Sequence, residues 1–473
     1  MQERMRGAAR RLFYGFTGGV VLLALALGYW HFWQAPSLER NPYNPRLLLA
    51  RQAIQRGTIF DRAGNPLARS VAEGGQYRRI YLAPASLAQV VGYAHPKLGV
   101  AGLELAFNDY LVASNPQQQL TGFLERWLGR REAGDDLFTT IDPEIQKAAA
   151  DALGGRRGAV VVLDSRTGEI LASVSEPGFN PNEMENRWEG LIKDPESPLL
   201  NRAVQGLYPP GSAFKVLIAA AGIDSGLVTP ETSYDCKGVR AVGKDEIRDF
   251  NNAVHGPLTL AQALVVSCNY TFSGLGLQLG KDRFFRYANR FRLGDPLAVL
   301  GIPFNTGRLP AKLGLPADYL AEIGIGQGNL LVTPLEMALV AGAVANGGTM
   351  MEPYLVKEVR TASGRVVESF PPRRRARPIS SSTSLALREM MEAVVREGTG
   401  RGAQVAGVRV AGKTGTADNP HGRPHAWFIG FAPADAPRVA LAVVVENAGT
   451  GGGVAAPIAA RVFAAALQKS GGR

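Results

Sequence analysis

Tyr208-Pro209-Pro210-Gly211-Ser212-Ala213-Phe214-Lys215-Val216-Leu217-Ile218-Ala219-Ala220-Ala221 is the stretch on which the reading of this chain turns. The prolines and glycine break any regular structure before Ser212, and the apolar run after it reads as a buried helix. Ser212 is therefore expected at a helix N-terminus, where free backbone N–H groups favour a developing negative charge. Lys215, three residues on, shares its face and is within reach of the hydroxyl. A serine hydroxyl is a weak nucleophile that needs a neighbouring base. A lysine becomes one when burial or adjacent positive charge lowers its pKa. Taken alone, Ser-x-x-Lys is frequent by chance, its serine a helix cap and its lysine a solvated charge.

Two further polar signatures follow in order. Residues 258–266 read as a helix running into Ser267-Cys268-Asn269. If that tripeptide is a turn, Ser267 and Asn269 face a cleft, one relaying a proton and the other holding a substrate amide, while Cys268 faces the protein. In isolation it is only a cap or a turn. Residues 408–416 alternate like a strand that ends in Lys413-Thr414-Gly415-Thr416. Gly412 and Gly415 permit close backbone approach to a ligand. Lys413, Thr414 and Thr416 suit a carboxylate, and the Thr416 N–H could complete an oxyanion hole with that of Ser212.

Together, Ser-x-x-Lys, Ser-x-Asn and Lys-Thr-Gly resemble the signature set of penicillin-binding proteins and serine β-lactamases, and this chain resembles a class B penicillin-binding protein. Residues 56–68, Arg-Gly-Thr-Ile-Phe-Asp-Arg-Ala-Gly-Asn-Pro-Leu-Ala, resemble that family's N-terminal block. So do Gly102-Leu103-Glu104 with Asn108-Asp109-Tyr110-Leu111, Thr139-Thr140-Ile141-Asp142, Gly326-Gln327-Gly328 and Asn346-Gly347-Gly348. The resemblance covers about residues 45–465. It implies Ser212 as acylated nucleophile, Lys215 as general base, Ser267 as proton relay and Asn269 as a substrate contact. Lys413, Thr414, Gly415 and Thr416 become the substrate-binding strand. The middle residue of the second signature is Cys268 rather than aspartate, and the role-bearing residues on either side are kept.

The fold class implied is α+β, the penicillin-binding or serine β-lactamase-like transpeptidase fold: a five-stranded antiparallel sheet flanked by helices. Periodicity alone supports only α+β. The strands expected are 158–164 and 169–174, joined by the turn 165–168, then the Lys413 strand, 425–431 and 439–445, with an apolar helix from about Ala455. The organisation expected is a cytoplasmic tail (1–11), a transmembrane helix (12–33), a small N-terminal pedestal or dimerisation-like module (34–136) with a linker at 41–45, and a transpeptidase domain (137–473). The module, at roughly 100 residues, is too short for a glycosyltransferase domain. It also lacks large head insertions, which resembles the compact actinobacterial-type subfamily.

Length and composition agree with this reading. A chain of 473 residues exceeds one core, and 46% apolar residues suffice to fold most of it. The net charge of +11 permits nucleic acid, an anionic membrane surface or an acidic polymer as partner. No nucleic-acid-binding signature accompanies it, and no nucleic acid partner is expected. The run Arg373-Arg374-Arg375-Ala376-Arg377 reads as a solvated face. Residues 12–33 hold no Asp, Glu, Lys or Arg and are long enough to span a bilayer. Arg4, Arg6, Arg10 and Arg11 before them keep the start cytoplasmic, with Tyr29, Trp30, Phe32 and Trp33 as an outer aromatic belt. A cleaved signal peptide is the competing reading, disfavoured because the apolar stretch runs past Ala24-Leu25-Ala26. The two cysteines, Cys236 and Cys268, are read as free thiols in preference to a disulfide, the alternative that an oxidising compartment would allow, and with five scattered histidines they suggest no metal site. His421 and His425 are read as loop or packing residues.

The activity this implies is two-step acyl transfer on peptidoglycan stem peptides, a D,D-transpeptidase without cofactor, acylated by β-lactam antibiotics. A D,D-carboxypeptidase would use the same residues with water as acceptor. A serine β-lactamase would need a positioned deacylating base, and the membrane span and the 56–68 block argue against it. A scaffold that regulates a membrane glycan polymerase is the alternative of another class. By resemblance, a SEDS-type polymerase of the RodA or FtsW type is the partner expected at the 46–136 module.

Overall fold

The computed structural model describes residues 2–34, 54–112, 133–243, 245–297, 301–312, 316, 318–420 and 422–468. The expected linker at 41–45 and His421 lie outside them. Two compact units divide the chain, residues 1–55 with 71–78, and residues 56–70 with 79–473.

In the first unit, helix Gln2–Tyr29 runs into a π-helical turn, Trp30–Gln34. Arg11–Tyr29 is the one stretch among the described residues long and apolar enough to cross a membrane. Its apolar side chains are exposed, Leu12 by 79%, which is compatible with a membrane span. The α-helical part of the expected span 12–33 thus ends at Tyr29, and the last aromatic residues continue in wider π turns.

The second unit is built on a five-stranded antiparallel sheet in the order Ala411–Ala417, His425–Ala432, Val439–Val445, Gly158–Asp164, Ile170–Glu176. These are the five strands expected, with ends moved by a few residues. Alternate side chains serve opposite faces. Val160, Val162, Val174, Phe428, Leu441 and Val443 pack with helices Pro143–Leu153 and Ala455–Gln468. Ala159, Val161, Leu163, Trp427, Ile429, Phe431 and Val444 belong to the larger core with helices Lys215–Asp224, Pro334–Ala345 and Ser381–Arg396. The Pro334 helix is buried on every side, so its sequence is apolar all round save for the capping Glu336. Each large apolar side chain buried this way contributes about 1.5–3 kcal/mol. A one-residue slip would turn the whole set outward, so the pairing of Lys413 with Ile429 and of Gly415 with Trp427 is strongly specified.

Polar residues mark the helix starts. Asp142 caps Pro143–Leu153, and Thr259 with Gln262 and Thr333 with Glu336 form capping boxes. The helix read at 258–266 begins two residues later, because Leu258 and Thr259 pair as strand Gly256–Thr259 with Ser233–Cys236.

A second sheet in this unit runs Val366–Ser369, Val356–Arg360, Asp136–Thr139, Ile59–Phe60 and the strand that begins at Pro66. It draws strands from far along the chain, and the boundary expected between 136 and 137 falls within its strand Asp136–Thr139. The 56–68 block earns its residue types here. Ile59 is fully buried, and Asp61 Oδ1 accepts the Ala63 and Asn65 N–H groups to close the turn before Pro66. Arg56 forks onto Glu104 Oε2 at 2.9 and 2.7 Å, and Arg79 Nε donates to Glu104 Oε1 at 2.6 Å. Burial pushes the Glu104 carboxyl up, but Arg79 and then Arg56 outweigh it and hold the group below the ordinary range.

The basic run at 373–377 is only partly a solvated face. Arg374–Ala376 pairs with Met350–Met351, and Arg375 bridges to Glu352 at 2.8 Å with its side chain 9% exposed.

Because Glu104 compensates two guanidiniums in a buried site, Glu104→Ala should cost about 3–5 kcal/mol. It should lower the thermal midpoint of the purified chain, with Glu104→Gln intermediate. Unchanged melting would show that the Arg56–Glu104–Arg79 cluster does not hold this sheet.

Candidate active site

Ser212 lies in a 3-10 turn, Gly211–Phe214, that leads into helix Lys215–Asp224. Positions i and i+3 eclipse in such a turn, so Ser212 and Lys215 leave the chain on one side. The turn is pressed backbone to backbone against the Lys413 strand. Gly211 has φ 53° and a Cβ there would sit 2.5 Å from the Thr416 carbonyl oxygen. A Cβ at Gly415 would meet the Pro210 carbonyl at 2.8 Å and the Ala213 nitrogen at 3.1 Å. Both positions need glycine for the two segments to approach. Trp427 adds a tie by donating Nε1–H to the Pro209 carbonyl at 3.1 Å.

Ser267-Cys268-Asn269 is the junction of two helices. Ser267 ends Leu260–Val266 in the left-handed region with φ 62°, Cys268 caps the next helix, and Asn269 begins Asn269–Arg290. That bend, rather than the alternation of an extended turn, sends Ser267 and Asn269 toward the lysines and Cys268 into the core. Cys268 is fully buried.

Two buried lysines converge on this junction. Lys215 Nζ donates to the Ser267 carbonyl and to Asn269 Oδ1, each at 2.7 Å, with Ser267 Oγ at 3.4 Å. Lys413 Nζ donates to Ser267 Oγ at 2.9 Å and to the Thr414 carbonyl at 3.0 Å. Among the hydrogen bonds of the described residues none joins Lys215 to the Ser212 hydroxyl, so the pairing expected from their spacing is one of shared face and not of direct contact. Burial brings Lys215 down to about 8, against smaller opposing effects of Cys268 and Asp249. Lys413 falls well below the ordinary lysine range through burial and then through the charge of Lys215.

On the Lys413 strand, Thr414 is buried and shares a hydrogen bond with the Thr399 hydroxyl at 2.7 Å. Thr416 Oγ1 accepts the Gly451 N–H at 3.4 Å. Thr399, Asp249 and Gly326 were not singled out as site residues by the sequence. Asp249 Oδ1 accepts the backbone N–H groups of Asn269 and Tyr270, which anchors the second signature. Gly326 accepts the Gly211 N–H at 2.9 Å and so holds the Ser212 turn. Only Gly326 carried a signal, in the block Gly326-Gln327-Gly328; Asp249 and Thr399 sit in unremarkable sequence. His425 Nδ1 accepts the Asn447 N–H and its ring packs edge-on against Tyr208, a packing role as expected.

Residues 158–464 match the penicillin-binding protein transpeptidase domain, and residues 56–137 match the penicillin-binding protein A dimerisation domain. The peptidoglycan D,D-transpeptidase PbpA of Mycolicibacterium smegmatis is 36% identical, over 98% of this chain and 100% of that protein. Its namesake in Mycobacterium tuberculosis is 35% identical over 98% and 99%. The structure of penicillin-binding protein A from M. tuberculosis as a ceftriaxone acyl-enzyme superposes with a TM-score of 0.85 at 34% identity, over 89% of this chain and all of that one. A D,D-transpeptidase domain from Eggerthella lenta superposes with a TM-score of 0.81 at 35% identity, over 89% and 99%.

With Lys215 as the base, acylation by a β-lactam should accelerate as pH rises through about 8, where the lysine becomes neutral, and then level off. The second-order acylation rate measured by stopped flow across that interval checks this. A flat profile there would remove Lys215 from the role.

Proposed function

We propose a mechanism from the premise that this chain belongs to the penicillin-binding protein transpeptidase family: it is a peptidoglycan D,D-transpeptidase that cross-links stem peptides and is acylated by β-lactams. The observation that carries the residue roles is the convergence of two fully buried lysines on the Ser267 hydroxyl beside the Ser212 turn.

Ser212 Oγ attacks the penultimate D-Ala carbonyl of a stem pentapeptide and passes its proton to Lys215, whose depressed pKa leaves it a substantial neutral fraction near pH 8. The backbone N–H groups of Ser212 and Thr416, on segments in close contact, stabilise the oxyanion. Ser267, between the two lysines, relays that proton from Lys215 to the departing amine of the terminal D-Ala. An amine of a neighbouring stem peptide then attacks the acyl-enzyme carbonyl; the new amide bond replaces the ester bond, the amine proton returns through Lys215 to Ser212 Oγ, and the cross-link is formed. Lys413, Thr414 and Thr416 hold the terminal carboxylate, with Gly415 allowing close approach. Burial and the charge of Lys215 lower the Lys413 pKa, and an arriving carboxylate favours its charged form, so binding and protonation are coupled. Asn269 holds a substrate amide. No cofactor is required by this scheme.

The apolar helix anchors the chain in the cytoplasmic membrane by a single pass, with its arginine-preceded start inside and the catalytic domain outside. In this reading 1–11 is the tail, 12–33 the span, 34–136 the pedestal and 137–473 the transpeptidase domain. The pedestal docks on a SEDS-type glycan polymerase of the RodA or FtsW type that makes the strands to be cross-linked.

Fluorescent penicillin should label the wild-type chain and leave Ser212→Ala unlabelled. With a polymerised glycan substrate the purified enzyme should yield cross-linked dimers. Trimmed monomers alone would instead indicate a D,D-carboxypeptidase, and equal labelling of both chains would remove Ser212 as nucleophile.

A further inference from the structure

Behind the second signature lies a buried cluster that the mechanism does not use. Cys236 ends strand Ser233–Cys236, whose partner strand Gly256–Thr259 leads directly into the helix that stops at Ser267. Cys268 is the middle residue of the signature. Their sulfur atoms approach to 3.2 Å. Both thiols face one carboxylate oxygen, Asp249 Oδ2, at 3.0 Å from Cys236 and 3.3 Å from Cys268. The other oxygen of Asp249 accepts the Asn269 and Tyr270 N–H groups. All three side chains are buried.

Two chemistries suit paired thiols beside a carboxylate, a soft metal ion or a disulfide. Two thiolates on one tetrahedral zinc, at about 2.3 Å from the ion, would stand about 3.8 Å apart. The observed separation is shorter than that, and only about 1.2 Å beyond a disulfide bond.

We propose that Cys236 and Cys268 form a structural disulfide that staples the Ser267–Asn269 signature to the strand behind it. The inference rests on the extracytoplasmic placement in the functional reading above, because such a bond persists in an oxidising compartment. The oxidant is a thiol–disulfide oxidoreductase. One cysteine thiolate attacks the oxidoreductase disulfide, forming a mixed disulfide and expelling one of its thiolates. The second cysteine thiolate then attacks the mixed disulfide, closes the Cys236–Cys268 bond and expels the other. Two electrons and the two thiol protons thereby pass to the oxidoreductase.

The cluster is built for a staple and not for a sensor. Both sulfurs are fully buried, and burial pushes the Cys268 thiol up to about 12, so little reactive thiolate exists once the pocket has closed. The bond therefore forms during folding and is afterwards shielded from reductants. It closes a loop of sequence separation 32 that contains Asp249 and the whole approach to Ser267. With Asp249 Oδ1 still holding the Asn269 N–H, the bond fixes the one residue of the signature that touches no substrate.

The test uses the full chain isolated from the membranes of a host with an oxidising extracytoplasmic compartment. After unfolding in detergent, a maleimide probe should label no cysteine before reduction and two after it. Cys236→Ser should melt about 5 °C lower than wild type. It should also acylate about tenfold more slowly with fluorescent penicillin, because displacements below 1 Å at a site cost up to about 10²-fold. Two labelled cysteines in the unreduced wild type would overturn the proposal. So would zinc co-purifying with both cysteines unoxidised, or a variant that melts and acylates like wild type. If the wild type labels with penicillin while both thiols are free, the staple fails and the functional reading stands; a bonded pair in a chain that penicillin does not label gives the reverse.

Discussion

Burying two lysine amino groups against one hydroxyl is the constraint on which the rest of this structure depends. A buried lysine is costly unless it is discharged or richly hydrogen-bonded, and two together repel. The chain meets that cost with a cage of acceptors: the Ser267 carbonyl and Asn269 Oδ1 for Lys215, and Ser267 Oγ and the Thr414 carbonyl for Lys413. The consequence is chemical, since the same desolvation that makes these lysines expensive brings Lys215 down to about 8.

Such a cage tolerates little movement, and much of the surrounding architecture serves to prevent it. Ser267 is held in a left-handed bend between two helices, one begun by a Thr259–Gln262 capping box and the other by Asp249. The Lys413 strand is held in register by apolar neighbours on both sides of the sheet, and its threonine is held from behind by Thr399. Tyr208, Arg202 and Arg157 converge on Glu446, next to the chain that leads to Ser212. The sheet and its helices are in this sense a clamp on three short segments that are far apart in sequence.

The composition of those segments was legible without coordinates, and so was their pairing into one site. The strand alternations at 158–174 and 408–445 predicted five strands, while their union in one sheet, like the reading of residues 56–68, came from the family resemblance. What was not legible was whatever depended on a partner distant in the chain. Arg375 read as surface charge because nothing in its own run reveals Glu352. Leu258 and Thr259 read as helix because their apolar pattern fits one, while pairing with Ser233–Cys236 overrides it. Asp249 and Thr399 belong to no motif, and their importance comes from the backbone and side chain they meet.

By itself, then, the sequence marked the candidate groups: a serine three residues before a lysine, a second lysine on a strand, an apolar N-terminal helix and an α+β fold. These are local properties, set by residue type, spacing and periodicity. Only the tertiary structure decided which atoms those groups meet. Lys215 binds the Ser267–Asn269 junction rather than the Ser212 hydroxyl, and Cys268 turns inward onto Cys236 and Asp249. The physical reason is that a helix junction in the left-handed region aims three successive side chains in directions that no period encodes.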